Sequence, residues 1–352
     1  MRVGDALEVM AAPCHTAFDL TEVSQVGQTR RAAEQRAEAL GFDPVATARI
    51  ALIITELGNN LVRHAVRGRV LFDVVADERG ARSFEILSVD EGPGIRDLAA
   101  CMVDGYSTSG TPGTGLGAVR RLADRFDAFS IVPSGTVVLA RVAGKAAAAS
   151  VGIPAPLSGF EVGAVVLAAP GERVCGDAWS MVEDGHRIAL LVADGLGHGP
   201  DAAEAAAAAV DEFEAASFIG PSQIIGRLHA ALRATRGAAV AVAQLERDGT
   251  QLGFSGAGNI SGRLISGVSD RSLVSQHGTA GVQIRGLRDL TYDWPAHGLL
   301  VLHSDGLKTR WTLEPGLLRR HPSVIAAWLV REYRRGPDDV TVVVLRRCGE
   351  RT

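Results

Sequence analysis

Three apolar runs in the C-terminal half of this chain meet an aspartate at one end, and that pattern constrains the fold more than any other feature. IALLVADG ends on Asp194, LLVLHSDG ends on Asp305, and PDDVTVVVL begins at Asp338 and Asp339, while CGDAW sets Asp177 just after a strand-like segment and a turn. Short apolar runs bounded by turn residues read as buried strands. A single Asp-Gly is ordinarily a turn, because both residues tolerate the backbone angles turns require. Four carboxylates at the ends of buried strands are a different matter, since like charges repel unless cations sit among them. Oxygen donors without Cys or clustered His point to Mg²⁺ or Mn²⁺ and away from Zn²⁺. Two such ions about 3.5–4 Å apart hold the attacking and leaving oxygens of a phosphoryl transfer in line.

Further apolar β-type runs cover 162–168, 187–193, 238–245, 299–303 and 340–345, with helical patterns over 201–216, 222–234 and 322–334. Runs of strands, in place of strict strand–helix alternation, favour sheets packed on each other with helices outside. Asp201 is placed to cap the start of the Ala-rich helix. The stretch AGKAAAASVGIPAP, from Ala143 to Pro156, carries small residues and two prolines without apolar periodicity, which sets a linker over 143–157. Before it come helical patterns over about 22–40 and 44–65, strand-like runs at 70–76 and 84–89, a Gly-rich loop, a helix near 116–126 and β segments around 128–142. The chain therefore reads as an α+β protein of two domains, 1–142 and 158–349.

With 47% hydrophobic and 22% charged residues the chain lies far from the disordered regime. A formal net charge of -4 and the lack of a Lys/Arg stripe interleaved with aromatics argue against a nucleic-acid partner. Cys14, Cys101, Cys175 and Cys348 are scattered, so buried free thiols are expected in preference to a disulfide framework or a zinc site. Nowhere do 18 apolar residues run together, and the N-terminus has no sustained apolar stretch, which implies no membrane and a cytoplasmic location.

The C-terminal segments GDAW, VADGLGHG, SGAGNISG, LHSDGL and DDVTVVVL, in that order, resemble the SpoIIE/RsbX branch of the PPM serine/threonine phosphatases over about Gly159 to Arg347. The resemblance implies an α-β-β-α sandwich. It also implies two Mn²⁺ or Mg²⁺ ions surrounded by Asp177, Asp194, the carbonyl of Gly195, Asp305 and Asp338. Where the family often has a second acidic residue soon after the first aspartate, this chain reads GDAWSMVED, so a third metal site is not implied. His198 and Asn259 read as loop-positioning residues.

In the first half, ARIALIITELGNNLVRHAV sets Ile50, Ile53, Ile54, Leu57 and Leu61 on one helical stripe, flanked by Glu56 and Asn60 four residues apart. A carboxylate beside an amide can orient a hydroxyl while the amide oxygen binds Mg²⁺; a polar helix flank satisfied by backbone is the plainer alternative. His64 reads as a core residue. DEGPGI then follows the strand FEILSV, and TSGTPGTGLG precedes a helix, where bare glycine amides suit phosphates. The ordered set ExxxN, DxGxG and GxGxG resembles the GHKL ATPases with their Bergerat-type α/β sandwich, specifically the small anti-sigma-factor serine kinases of the RsbT/RsbW type. The short lid between Ile95 and Thr114 agrees with that group. By this resemblance Asn60 holds Mg²⁺, Asp90 accepts from the adenine amino group, and Gly92 and Gly94 pass close to the base. Gly113, Gly115 and Gly117 meet the phosphates of ATP, Thr136 meets adenine through water, and Glu56 activates a substrate serine.

The two resemblances together imply a partner-switching regulator of a bacterial stress-response pathway, with an ATP-dependent serine kinase and a phosphatase of phosphoserine or phosphothreonine in one chain. The implied partners are STAS-domain antagonist proteins and a sigma factor or other switch protein. A rival reading makes the first domain a non-catalytic, nucleotide-sensing binding module; the presence of Glu56 argues against it, because a binder needs no base. A scaffold with an inactive phosphatase is a third reading, opposed by the intact carboxylate set.

Overall fold

The computed structural model describes residues 8–11, 14–76, 82–102, 115–144, 160–246, 249–295 and 297–347. They form two compact units, one of Met1–Cys14, Gly152–Leu318 and Glu332–Thr352, the other of His15–Val151 with Arg319–Arg331. The first strand, β1 (Glu8–Ala11), belongs to the larger unit.

The smaller unit contains β2 (Thr16–Leu20), α1 (Val23–Ala39), α2 (Pro44–His64), β3 (Gly68–Ala76), β4 (Arg82–Asp90), α3 (Gly115–Leu122), β5 (Arg125–Ile131) and β6 (Gly135–Ala143). Its five strands form an antiparallel sheet in the order β2-β3-β4-β6-β5. α1 starts at a reciprocal cap in which the Gln25 side chain accepts from the Glu22 backbone N–H at 3.0 Å. α2 starts where the Asp43 carboxylate accepts from the N–H groups of Val45 and Ala46, with Pro44 in the first turn. The expected stripe of Ile50, Ile53, Ile54, Leu57 and Leu61 is buried and packs on Val70, Phe72, Phe84 and Ile86 of the sheet. Each such side chain contributes about 1.5–3 kcal/mol on burial. α2 is long and apolar enough to cross a membrane by length and composition, yet that apolar stripe is spent on this core.

Because side chains alternate along a strand, Glu85 lies on the face of β4 opposite Phe84 and Ile86. There it accepts from Arg141 Nε at 2.7 Å and from Ser323 Oγ at 2.9 Å. Ser323 lies on α6 (Pro322–Tyr333), whose residues up to Arg331 belong to this unit although they come from the C-terminal sequence. Trp328 of α6 meets Phe129 of β5 edge to face at 4.8 Å.

Several expectations need correction. The helix expected over 116–126 stops at Leu122, because Arg49 Nε donates to the Leu122 carbonyl at 2.7 Å and the Asp124 N–H joins the sheet at Arg141. His64 is exposed in the last turn of α2, away from the apolar stripe. Of the cysteines, Cys175 is buried, Cys14 and Cys101 are half-buried, and Cys348 lies outside the described residues.

The larger unit contains β7 (Phe160–Leu167), β8 (Asp177–Glu183), β9 (Arg187–Gly195), α4 (Pro200–Ala215), α5 (Pro221–Ala231), β10 (Ala238–Glu246), β11 (Gln251–Ala257), β12 (Ser261–Ile265), β13 (Asp270–Leu273), β14 (Gly278–Thr279), β15 (Gln283–Ile284), β16 (Leu290–Asp293), β17 (Leu299–His303) and β18 (Val340–Arg347). One sheet has the order β1-β8-β9-β10-β11-β16 and the other β13-β12-β17-β18-β7, with β14 and β15 paired apart. Trp179, Leu190, Val192 and Phe254 of the first sheet share a core with Val162, Leu264, Leu302 and Val343 of the second. The outer face of the first sheet meets α4 and α5 through Ala209, Phe213, Ile224 and Leu228. Sheets packed face to face with helices outside are the expected architecture. Asp201 is not the cap of α4: Gly199 takes that position, and Asp201 in the first turn pairs with Arg236 at 2.5 Å.

Candidate functional sites

The carboxylate constellation is assembled by strand register. β8 and β9 pair with Asp177 opposite Asp194, and opposed residues of an antiparallel pair hold their Cβ atoms about 4.5–5.5 Å apart. From the second sheet, β17 delivers Ser304 and Asp305 at its C-terminal end, and β18 begins beside them, with the Ser304 N–H donating to the Thr341 carbonyl at 3.0 Å. Asp177 is buried, Asp194 and Asp305 are half-buried, and Asp338 is exposed.

Burial pushes the Asp194 carboxyl well above the ordinary range, and the charges of Asp177, Asp305, Asp338 and Asp339 push it further in the same direction. Asp177 is raised too, by burial first and then by Asp339 and Asp305, against the opposing hydrogen bond from Ser304. Three of the predicted aspartates, Asp177, Asp305 and Asp338, thus act on the fourth, Asp194. Gly195 closes β9 beside them, its N–H donating to the Gly176 carbonyl at 2.9 Å.

Among the described residues no three His, Cys, Asp or Glu side chains stand in ready-made metal-ligand geometry. Asp177 Oδ2 accepts from Ser304 Oγ at 2.6 Å and Asp305 Oδ2 accepts from Asn259 Nδ2 at 2.8 Å. The donor set nonetheless fits a hard divalent cation: all-oxygen, acidic beyond what the fold neutralises, and graded from buried to exposed.

The supports of this cluster include residues that motif reading passed over. Ser304 both donates to Asp177 and accepts from the Thr341 N–H at 3.0 Å, so one hydroxyl ties β8, β17 and β18 together. Behind it, Trp311 Nε1 donates to His303 Nε2 at 3.0 Å, which leaves the proton on Nδ1 to donate to the Ser304 carbonyl at 2.8 Å. Burial holds His303 down at about 4, so it is a neutral, fixed brace. Asp339, the second aspartate of DDVTVVVL, accepts from the N–H groups of Ala169 and Gly176 at 2.7 and 2.9 Å and anchors the loop that carries Asp177. His198 Nδ1 lies 2.8 Å from Glu172 Oε1, in keeping with a loop-positioning part. Adjacency to the motif aspartates was the available signal for Ser304 and Asp339; Glu172 had none.

The residues expected at a nucleotide are assembled differently, by close backbone approach. Asp90 ends β4, and its Oδ1 accepts from the Gly92 N–H at 2.6 Å. A Cβ on Gly92 would lie 2.8 Å from that same oxygen and 3.1 Å from the His64 carbonyl, so the turn can sit against the end of α2 only as glycine. Gly94 has φ +72°, and a Cβ there would lie 2.3 Å from the Ile131 carbonyl. Thr136 is buried on β6 opposite Asp90, and its Oγ1 lies 2.9 Å from Ser130 Oγ. Burial raises the Asp90 carboxyl, while the Gly92 N–H and the Arg331 guanidinium pull it back.

Glu56 and Asn60 are half-buried on the last turns of α2, which lead to the His64 carbonyl at Gly92. Gly115 and Gly117 open α3, whose Leu116 and Val119 enter the core. Gly113 lies outside the described residues. Ser130 had no sequence signal; its hydroxyl accepts from the Ile95 N–H at 2.7 Å and so holds the DEGPGI segment to β5.

Comparison with known proteins finds two families along the chain. Residues 20–142 match the histidine kinase-like ATPase domain family, and residues 184–348 match the stage II sporulation protein E (SpoIIE) family. The chain is 39% identical over 125 residues to the serine/threonine-protein kinase RsbT of Bacillus subtilis (strain 168), covering 36% of this chain and 89% of RsbT. It is 32% identical over 90 residues to the phosphoserine phosphatase RsbX of the same organism, covering 26% of this chain and 45% of RsbX, less than half of that protein's length. A solved chain from work on the bacterial stressosome, as a modular system adapted to control secondary messenger signaling, is 31% identical with a TM-score of 0.50, covering 53% of this chain and 99% of its own. The chain belongs to the RsbT family of kinase-like ATPases through its N-terminal domain, which is fused to a PPM-type serine/threonine phosphatase domain of the SpoIIE kind.

Proposed function

We propose that this protein both removes and writes phosphate on one class of substrate, STAS-domain antagonist proteins of a cytoplasmic partner-switching pathway that answers to a sigma factor or another switch protein. The observation that carries the reading is the gathering of Asp177, Asp194, Asp305 and Asp338 at adjoining strand ends, with Asp194 raised by burial and by its neighbours, in a chain that also holds the Asp90 turn. The names of its relatives, a serine/threonine-protein kinase and a phosphoserine phosphatase, support the pairing.

In the phosphatase domain, Asp177, Asp194, the Gly195 carbonyl, Asp305 and Asp338 would hold two Mg²⁺ or Mn²⁺ ions. When bound, such ions lower the pKa of a water and offset phosphate charge. The chain's own residues supply the frame: Ser304 and Asn259 orient Asp177 and Asp305, His303 braces the Ser304 backbone, and Asp339 fixes the preceding loop. Outside this frame, Asp338 is exposed where a phosphoprotein loop has access.

In the kinase-like domain, Asn60 would hold Mg²⁺, Asp90 and Thr136 would meet adenine, Gly92 and Gly94 would leave room for the base, and Gly113, Gly115 and Gly117 would meet the phosphates of ATP. Glu56 is then the base for a substrate serine, the rest of the catalysis being positioning and electrostatics. Incubation with ATP, Mg²⁺ and a STAS-domain protein should yield phosphoserine by mass spectrometry, and Glu56→Ala should remove that product while ATP still binds. Phosphoserine formation indifferent to Glu56→Ala would make the first domain a nucleotide-sensing module.

A further inference from the structure

The residues assigned to the nucleotide lie within the first 142 positions, yet the turn at Asp90 is held by a residue nearly 200 positions beyond them. Arg331 Nη1 donates to the Asp90 backbone carbonyl at 2.8 Å. Arg331 lies on α6, inside the segment that matches the SpoIIE family, but packs in the smaller unit. Its guanidinium stacks 3.6 Å above the Trp328 ring, and Trp328 in turn meets Phe129 of β5 edge to face. An arginine held over an aromatic face is preorganised, so less side-chain entropy is lost when it makes its hydrogen bond.

The opposite wall of this contact is built to admit it. Gly135 has φ +91°, and a Cβ there would lie 2.1 Å from the Asp90 carbonyl oxygen and 2.7 Å from Arg331 Nη1. Three elements converge on one peptide group: the end of β4, the start of β6 and the last turns of α6. Thr136, next to Gly135, is the residue paired with Asp90 across the sheet.

We propose that Arg331 is a positioning residue of the nucleotide site, fixing the Asp90 peptide so that the Asp90 carboxylate meets the exocyclic amino group of the purine in one orientation. The inference rests on the assignment of Asp90 as the base acceptor. Asp90 Oδ1 is tied to the Gly92 N–H, so the carboxylate turns away only by breaking that bond, and Arg331 holds the peptide that carries it, so the peptide shifts only by breaking the bond to Arg331. The guanidinium also opposes the effect of burial on Asp90, favouring the charged form that accepts from an amino group. A residue of the phosphatase sequence thereby sets base selectivity in the kinase-like domain.

The test uses the full chain and measures dissociation constants for ATP and for ITP, whose base has a carbonyl in place of the amino group, by competition against a fluorescent ATP analogue. The unchanged chain should prefer ATP by about tenfold or more, the worth of one charge-assisted hydrogen bond. Arg331→Met keeps the apolar stem on Trp328 but removes the donor, and should bring the ATP/ITP ratio close to one by weakening ATP alone. Arg331→Gln, too short to reach the carbonyl, should do the same, so whichever variant keeps the parent thermal midpoint carries the test. An unchanged ratio, or equal weakening of both nucleotides, overturns the positioning role while leaving the ATP reading intact. Failure of the unchanged chain to bind ATP overturns both.

Discussion

The two sites solve opposite problems. The Asp90 turn is defined by what is missing: without side chains at Gly92 and Gly94, the backbone packs to within a methyl group's width of Asp90, His64 and Ile131. The carboxylate site is defined by what is in excess, since Asp177 and Asp194 face each other across β8 and β9 with Asp305 and Asp338 close enough to raise Asp194 further. The first kind of site is damaged by adding a methyl group. The second is damaged, in function alone, by removing a charge, and the metal-free fold should gain from the loss.

The largest effect follows from that second statement. Asp194→Asn should lower Mn²⁺-dependent hydrolysis of an aryl phosphate by on the order of 10²–10³-fold, while raising the thermal midpoint measured in a chelator, because one of several repelling carboxylates has been neutralised. A fall in both activity and metal-free stability would break the comparison. Next, Gly94→Ala should weaken ATP binding about tenfold or more, as strain of roughly 1–3 kcal/mol at a positive φ moves the turn, and should leave aryl phosphate hydrolysis unchanged. Titration of nucleotide binding and a phosphatase assay on the same preparation check both halves.

Ser304→Ala sharpens the account of the carboxylate frame. It removes the donor to Asp177 and the acceptor for the Thr341 N–H, and a roughly 10–100-fold loss of metal affinity or activity is expected for a residue that orients a ligand. A control comes from the other unit. Asp73 is buried, and burial raises its carboxyl from 3.8 to about 6 with only partial relief from His15 and Arg36. A folded-state value above the unfolded one means a contribution to stability that is full below pH 3.8 and lost as pH rises through about 6. Asp73→Asn should therefore stabilise the protein at pH 8 by up to about 2–3 kcal/mol in denaturant unfolding, without touching either activity. Glu85, on the same sheet, shows the reverse: burial raises it, but Arg141 and His15 outweigh burial and hold it at about 2, so its contribution is present above pH 4.5 and lost as pH falls toward 2.

Much of this was legible in the sequence because the informative features were local. The stripe on α2 marked that helix in the sequence, and Asp194 and Asp305 mark strand ends because each follows an apolar run and precedes a glycine. What was not legible depends on register and long-range approach. Nothing near Asp177 indicates that its donor is Ser304, 127 residues away. The end of α3 at Leu122 is decided by Arg49 and by the pull of the sheet at Asp124, so a continued helical pattern in the sequence misled. His64 sits one turn past the apolar stripe, where the helix has left the core. Arg331 resembles any helix-surface arginine until the Asp90 carbonyl is found beneath it.

The central claim is that the four strand-end aspartates form a divalent-cation site serving phosphate removal. Its most direct measurement is calorimetric titration of the chelator-treated full chain with Mn²⁺, run beside the Asp194→Asn and Asp305→Asn variants. The account predicts binding of two ions to the parent chain, loss of at least one in each variant, and a rise in phosphatase activity that follows occupancy. Binding and activity unaltered by both substitutions would contradict it.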